Sequence, residues 1–220
     1  MDSSPISVSR STRQRFRFPA RWLNYSPVGK IIPGTRFLAF KTPLKRNFFE
    51  VHGRQFDMQS AFDIKTLLDL ANTRGKKIGL VIDLTNSDRY YNPSEWIDAG
   101  VNYEKIRCIG RGTNISEESV KKFYSIVSSF LSQHIYTGEL IGVHCTHGLN
   151  RTGFMICRYL VEVDNWDVNC AIQHFEYCRG YKIERKEYIY SLKNNCIKGK
   201  YPALSVQYPE KEEISNICVD

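Results

Sequence analysis

At 220 residues and 42% hydrophobic content, the chain has the material for one domain with a sizeable core, and with no apolar run of about 18 residues it excludes a membrane-spanning helix. Lysine and arginine outnumber aspartate and glutamate 31 to 23, and the net charge of +8 suits a polyanionic partner without naming one. The polar start, Met1 to Arg13, does not read as a secretory signal, and seven cysteines without tandem pairs fit reduced thiols in cytosol or nucleus.

Residues 1–20 read as a basic, flexible arm in which Arg10, Arg13, Arg15, Arg17 and Arg21 alternate with Phe16, Phe18 and Trp22. That mixture suits nucleic-acid backbone and bases, and equally an arm partly packed on the domain. Pro27, Pro33 and Gly34 punctuate an irregular segment before a strand at Arg36–Phe40. A helix follows over Ala61–Asn72, then a buried strand over Lys77–Leu84 and another over Tyr103–Ile109. Ser116 is placed to cap a helix whose first turn holds Glu117 and Glu118, and whose Val120, Phe123, Val127, Phe130 and Leu131 recur at helical spacing as core. Leu140–Val143 suits a buried strand. Thr152–Asp164 places Phe154, Ile156, Cys157, Leu160 and Val161 on one side of a helix. Asp167–Cys178 and Arg185–Asn195 read as two more helices, with Gly180 near the end of the first, and residues 199–220 as a flexible tail. Strands alternating with helices predict an α/β fold with a mainly parallel central sheet flanked by helices.

Between the last predicted strand and its helix lie the ten residues His144–Gly153, HCTHGLNRTG. A loop there turns successive backbone N–H groups inward, and the positive end of the helix dipole adds to its attraction for an anion. Gly148 supplies unusual dihedrals. Cys145 in that field ionises well below the free-thiol value of about 8.5 and becomes a nucleophile at neutral pH. Arg151 grips two phosphoryl oxygens bidentately, and Thr152 offers the sulfur a hydroxyl when it leaves again. His144, on the strand, orients the loop. The site thus takes Cys145, Arg151 and Thr152 as catalytic, and His144, Thr146, His147, Gly148, Leu149 and Asn150 as the phosphate-binding loop. Two alternatives stand beside this one: Cys145 as an inert buried thiol, and zinc held by His144, Cys145 and His147. No second Cys/His pair with ligand spacing accompanies the latter set.

The motif resembles the cysteine-dependent phosphatase superfamily and is similar to its RNA 5′-triphosphatase branch, which includes the triphosphatase domain of animal mRNA-capping enzymes. Arg21–Leu44 (RWLNYSPVGKIIPGTRFLAFKTPL) and Leu80–Tyr91 (LVIDLTNSDRYY) look like the dual-specificity-type enzymes called RNA/RNP-complex-interacting phosphatases. The resemblance covers about residues 21–195 and implies a dual-specificity-like phosphatase domain over residues 21–198. It also implies that both γ- and β-phosphates are removed to leave a 5′-monophosphate, and it matches Arg185, in Ile183–Lys186, to a phosphate-contacting arginine. Arg89, Arg36 and Lys41 are weaker candidates for the extra phosphates, and the alternative for each of the four is a solvated surface charge.

One departure narrows the chemistry. Protein-directed members of the superfamily bring an aspartate on the loop corresponding to Arg107–Ile115, and here that loop has no carboxylate. A tyrosine leaving group has a pKa of about 10, so its departure gains from proton donation worth roughly 100- to 10,000-fold. A phosphate leaving from an anhydride ionises near about 6 and needs no proton. The sequence therefore predicts a metal-independent, cofactor-free RNA 5′-tri/diphosphatase working through a cysteinyl phosphate. It is expected to be monomeric, in nucleus or cytoplasm, with 5′-tri- or diphosphate RNA and ribonucleoprotein partners and no membrane. Without a Lys-x-Asp-Gly motif or room for a second catalytic domain, a bifunctional capping enzyme is not expected. The alternatives are a dual-specificity phosphoprotein phosphatase with Glu117 or Glu118 as the acid, and a non-catalytic binder of 5′-triphosphate RNA.

Overall fold

The structure, a computed structural model, describes residues 16–50, 61–109 and 115–202. Among these, five strands form one sheet: β1 (Val28–Ile31), β2 (Phe37–Lys41), β3 (Ile78–Asp83), β4 (Asn102–Lys105) and β5 (Leu140–Cys145), in the order β1-β2-β5-β3-β4. All neighbours are parallel except β1, which runs antiparallel to β2 at the edge. The central strand β5 is buried at every position, as expected where helices cover both faces of a parallel sheet. Lys41 of β2 and Asp83 of β3 stand in register with Cys145 and His144 respectively, so three strand ends converge on the start of the motif. In such sheets ligands bind outside the carboxyl ends of the strands.

Among the described residues seven α-helices flank the sheet: α1 (Asn47–Glu50), α2 (Ile64–Thr73), α3 (Ser94–Asp98), α4 (Glu117–Gln133), α5 (Asn150–Glu162), α6 (Val168–Arg179) and α7 (Lys186–Asn195). One face is closed by α4 to α7, whose Phe123, Val127, Leu160, Phe175 and Tyr188 share a core with Ile82 and Val143. The other is closed by α1 to α3 and the segment before β1, through Trp22, Phe48, Phe49, Leu67 and Trp96. Ser116 caps α4 as expected, accepting from Ser119 N, while Asp63 and Asp167 cap α2 and α6.

The boundaries differ from expectation in places. The packed part begins before residue 21: Phe18 stacks on Trp22 at 5.8 Å and Phe16 meets Phe48 edge-on at 5.4 Å. It also continues past 198, where Tyr201 N donates to Glu162 O at 2.9 Å. Arg10, Arg13 and Arg15 of the expected arm, and most of the expected tail, lie outside the described residues. The strand expected over Tyr103–Ile109 ends at Lys105. There the chain leaves the sheet and delivers the Cys108 carbonyl to the motif loop instead.

Candidate active site

Cys145 ends β5, and α5 starts five residues later, with no side chain capping its first turn. The intervening loop reverses at Gly148, whose φ is 68°; a Cβ there would collide with the Phe40 carbonyl of β2. Replacing Gly148 by Ala therefore both strains the backbone and forces the loop off β2. We expect Gly148→Ala to lose at least about 1 kcal/mol of stability and most of its turnover, checked by thermal melting beside a phosphatase assay. Unchanged turnover would remove the loop from the mechanism.

The Cys145 thiol is 3% exposed, at the base of this loop. Burial alone would raise its pKa, yet the Arg151 charge, the Thr152 hydroxyl and the backbone N–H groups of Thr152 and His147 outweigh it and bring it below the usual thiol value. The Thr152 hydroxyl is fully buried, and its side-chain hydrogen bond favours the sulfur as thiolate. Arg151 is held at three points: Nη1 donates to Leu84 O at 2.9 Å and to Cys108 O at 2.8 Å, and Nη2 to Thr146 Oγ1 at 3.0 Å. A guanidinium has five N–H groups, so Nε–H and one Nη2–H remain, the adjacent pair suited to a bidentate grip on an anion.

His144 lies wholly buried behind the loop. Its Nε2 is 2.7 Å from the Tyr91 hydroxyl, which donates to Asp83 Oδ2 at 2.8 Å, and its Nδ1 faces Cys145 O at 3.3 Å. Asp83 also accepts from Tyr103, Lys105 and Thr85 N. Burial would raise that carboxyl, but His144, Lys105 and the Thr85 N–H hold it down at about 2. Burial lowers the imidazole against the pull of Asp83. A ring locked in this way sets the path of the strand into the loop. His147 is placed differently, at the rim, with Nε2 2.7 Å from Ala20 O. The two imidazoles thus have separate partners, Tyr91 for His144 and the Ala20 carbonyl for His147, and among the described residues no three His, Cys, Asp or Glu gather as metal ligands.

The four outlying cations separate cleanly. Arg36 is buried at the opposite end of β2 from the loop and donates to His134 O at 2.6 Å and Ile135 O at 2.8 Å, so it is corrected from a phosphate contact to a tie between β2 and the end of α4. Lys41 is buried beneath the loop, donating to Trp22 O and Tyr25 O with its ammonium 3.6 Å from the Trp22 ring centre, and it too is withdrawn. Burial, with Arg179 nearby, pushes it down to about 8. Arg89 is exposed, lies over the rings of Tyr90 and Phe48, and donates to Arg17 O at 3.1 Å. Arg185 alone of the four is tied to the motif's helix: its backbone N–H donates to Asn150 Oδ1 at 2.9 Å, and its guanidinium packs over Tyr188. Tyr188 in turn feels the charges of Arg185, Arg151, Cys108 and Cys145, which sets Arg185 on the loop's side of α7.

Glu117 is not placed as an acid. Arg158 holds it with two hydrogen bonds of 2.7 and 2.8 Å, and Arg158 lies two helical turns along α5 from Arg151. The Arg158 contact holds the Glu117 carboxyl below its usual range, the wrong direction for a proton donor. Of the loop expected to lack an acid, Gly110–Asn114 lie outside the described residues. Sequence reasoning passed over Asp83, Tyr91 and Arg179, which reach the loop only through the fold.

The dual specificity phosphatase catalytic-domain model matches residues 60–195, which includes the whole strand, loop and helix just described. The chain belongs to this family. As a dual specificity phosphatase it is a hydrolase of phosphate bonds, with a mixed α/β sheet flanked by helices. It is 50% identical over 84% of its length to the RNA/RNP complex-1-interacting phosphatase homolog of Caenorhabditis elegans, covering 78% of that protein. It is 41% identical over 82% of its length to the RNA/RNP complex-1-interacting phosphatase of Homo sapiens, but spans only 53% of that longer chain. A crystal structure of Tk-PTP in a mutant form superposes with a TM-score of 0.55 at 18% identity, covering 76% of this chain and 92% of that one, and so shares the fold.

Proposed function

We propose that this dual specificity phosphatase is a metal-independent RNA 5′-tri/diphosphatase. The observation that carries the reading is the pairing of a thiol, amide and guanidinium cradle with a stretch, Arg107–Ile115, whose sequence has no carboxylate and whose Cys108 carbonyl accepts from Arg151, while Glu117 is held by Arg158. The Cys145 thiolate attacks the terminal phosphorus, an S–P bond forms, and the anhydride P–O bond breaks with its electron pair going to the RNA diphosphate. That group leaves as an anion and needs no proton. Water then attacks phosphorus, the S–P bond breaks back to thiolate, and inorganic phosphate departs. Arg151 and the loop amides hold the oxygens as charge spreads over them. A second round removes the β-phosphate. The names of the worm and human relatives, which mention RNA and ribonucleoprotein, agree with such a substrate and with ribonucleoprotein partners.

The deciding measurement is phosphate release from 5′-triphosphate RNA and from a phosphotyrosine peptide, side by side with EDTA present. With no carboxylate in Arg107–Ile115 to protonate the ester's leaving group, kcat/KM on the RNA should exceed that on the peptide by about 100-fold or more, and EDTA should leave both unchanged. Equal efficiencies would overturn the reading in favour of a phosphoprotein phosphatase.

A further inference from the structure

Arg179 is the last residue of α6, and Gly180, at φ 82°, turns the chain away immediately after it. Its side chain is 1% exposed, and its hydrogen-bond partners include no carboxylate. Nε donates to Gly148 O at 3.1 Å, Nη2 to His147 O at 2.9 Å and to Ser26 O at 2.8 Å, and Nη1 to Ser26 Oγ at 3.3 Å. A buried guanidinium without an acid is costly, and burial depresses its pKa to about 10. Lys41, buried close by, likewise faces only carbonyls and the Trp22 ring, and the two cations repel each other. An apolar side chain would anchor the helix end without that cost, so the placement calls for a reason in the loop.

Peptide geometry supplies one. Each trans peptide unit points its C=O and its N–H in opposite directions. The His147 carbonyl shares a unit with the Gly148 N–H, and the Gly148 carbonyl with the Leu149 N–H. A donor that draws both carbonyls outward turns both amides toward the side where Cys145 and Arg151 lie. Ser26 and the Tyr181 ring complete the brace: Ser26 N donates to Tyr181 Oη at 2.8 Å, and Arg179 stands over that ring at 5.3 Å. The charge left without an acid behind the loop then faces the charge on its other side, the Cys145 thiolate, with Tyr25, Tyr181 and Lys41 the other titratable groups it meets.

We propose that Arg179 is a positioning residue for the phosphoryl site, turning the Gly148 and Leu149 amides into the cradle by holding the carbonyls of His147 and Gly148. The inference rests on the proposed function only in taking this loop as the phosphoryl site, and it holds for esters and anhydrides alike. Two variants test it. Arg179→Lys keeps the cation and most of the stem but cannot fork across two carbonyls; Arg179→Met keeps the packing and removes every donor. Each is assayed on an aryl phosphate and on 5′-triphosphate RNA, with inorganic phosphate as competing inhibitor and with the pH midpoint of Cys145 alkylation, after melting has shown that it is folded. We expect Arg179→Lys to lose about 100-fold in kcat on both substrates, the scale of a misplaced reacting group, with weaker phosphate inhibition and a higher alkylation midpoint. Arg179→Met should lose more, and if it does not fold the lysine variant still decides. A folded Arg179→Lys with wild-type rate and midpoint overturns the proposal, as does a loss confined to the RNA. The aryl phosphate arm separates this outcome from failure of the RNA reading, because it reports on the loop whatever the natural substrate is.

Discussion

Cys145→Ser should abolish turnover while leaving 5′-triphosphate RNA binding intact. Serine replaces sulfur with oxygen at nearly constant volume, so the loop and Arg151 have no steric reason to move. The hydroxyl, however, ionises far above any value the loop reaches by lowering a thiol, and the attacking anion vanishes. Loss of an essential nucleophile costs on the order of 10,000-fold or more, the largest effect expected from any single change here. Retention of even a tenth of the wild-type rate would make the covalent route untenable and favour water as the attacking group. A second readout comes from pH. Because Arg151, Thr152 and the loop amides bring the thiol below its ordinary value in spite of burial, the pH midpoint of wild-type alkylation should lie below that of a free thiol. Peroxide should inactivate the wild type, reversibly at first, through the sulfenic acid.

What the sequence made legible follows from how local each signal is. Strand, loop and helix around Cys145 are written in adjacent residues: an apolar run, then glycine and arginine at fixed distances, then helical spacing. The strand Val28–Ile31 has no such signature, because Gly29 and Lys30 break any alternation between Pro27 and Pro33. Its reason is tertiary, since a Cβ at Gly29 would approach the Cys178 carbonyl of α6 to 2.7 Å. Arg36 and Lys41 bracket one strand, and position along the chain does not say which end of β2 faces the loop; neither end holds a cation free for phosphate. Arg179 escaped notice for a related reason. An arginine in the last turn of a helix ordinarily complements the helix dipole, and only the packing of α6 beside the loop turns it into a brace. His144 was legible as an orienting residue, but its partners Asp83 and Tyr91 come from a segment more than 50 residues upstream.

Arg151→Ala should cripple hydrolysis of every phosphate substrate alike, by about 1,000-fold or more, because each places its reacting group against the same guanidinium. The loss has a structural part as well. Arg151 ties the loop to the carbonyls of Leu84 and Cys108, so its removal also frees the chain beyond β3 and β4. Arg185→Ala should behave differently. Its backbone contact to Asn150 survives the substitution, whereas the side chain, 3.5 Å from Glu187, is the part that would reach phosphates beyond the one under attack. Efficiency on 5′-triphosphate RNA should then fall by at least about tenfold while an aryl phosphate with a single phosphoryl group is scarcely affected. The gap between the two substrates should narrow as salt screens the contact over a Debye length of about 8 Å at physiological ionic strength. Parallel losses on both substrates would return Arg185 to a role in holding α7 against α5. No loss on triphosphate RNA at low salt would leave Arg89 as the remaining cation of the original four, since Arg36 and Lys41 are already committed to backbone carbonyls.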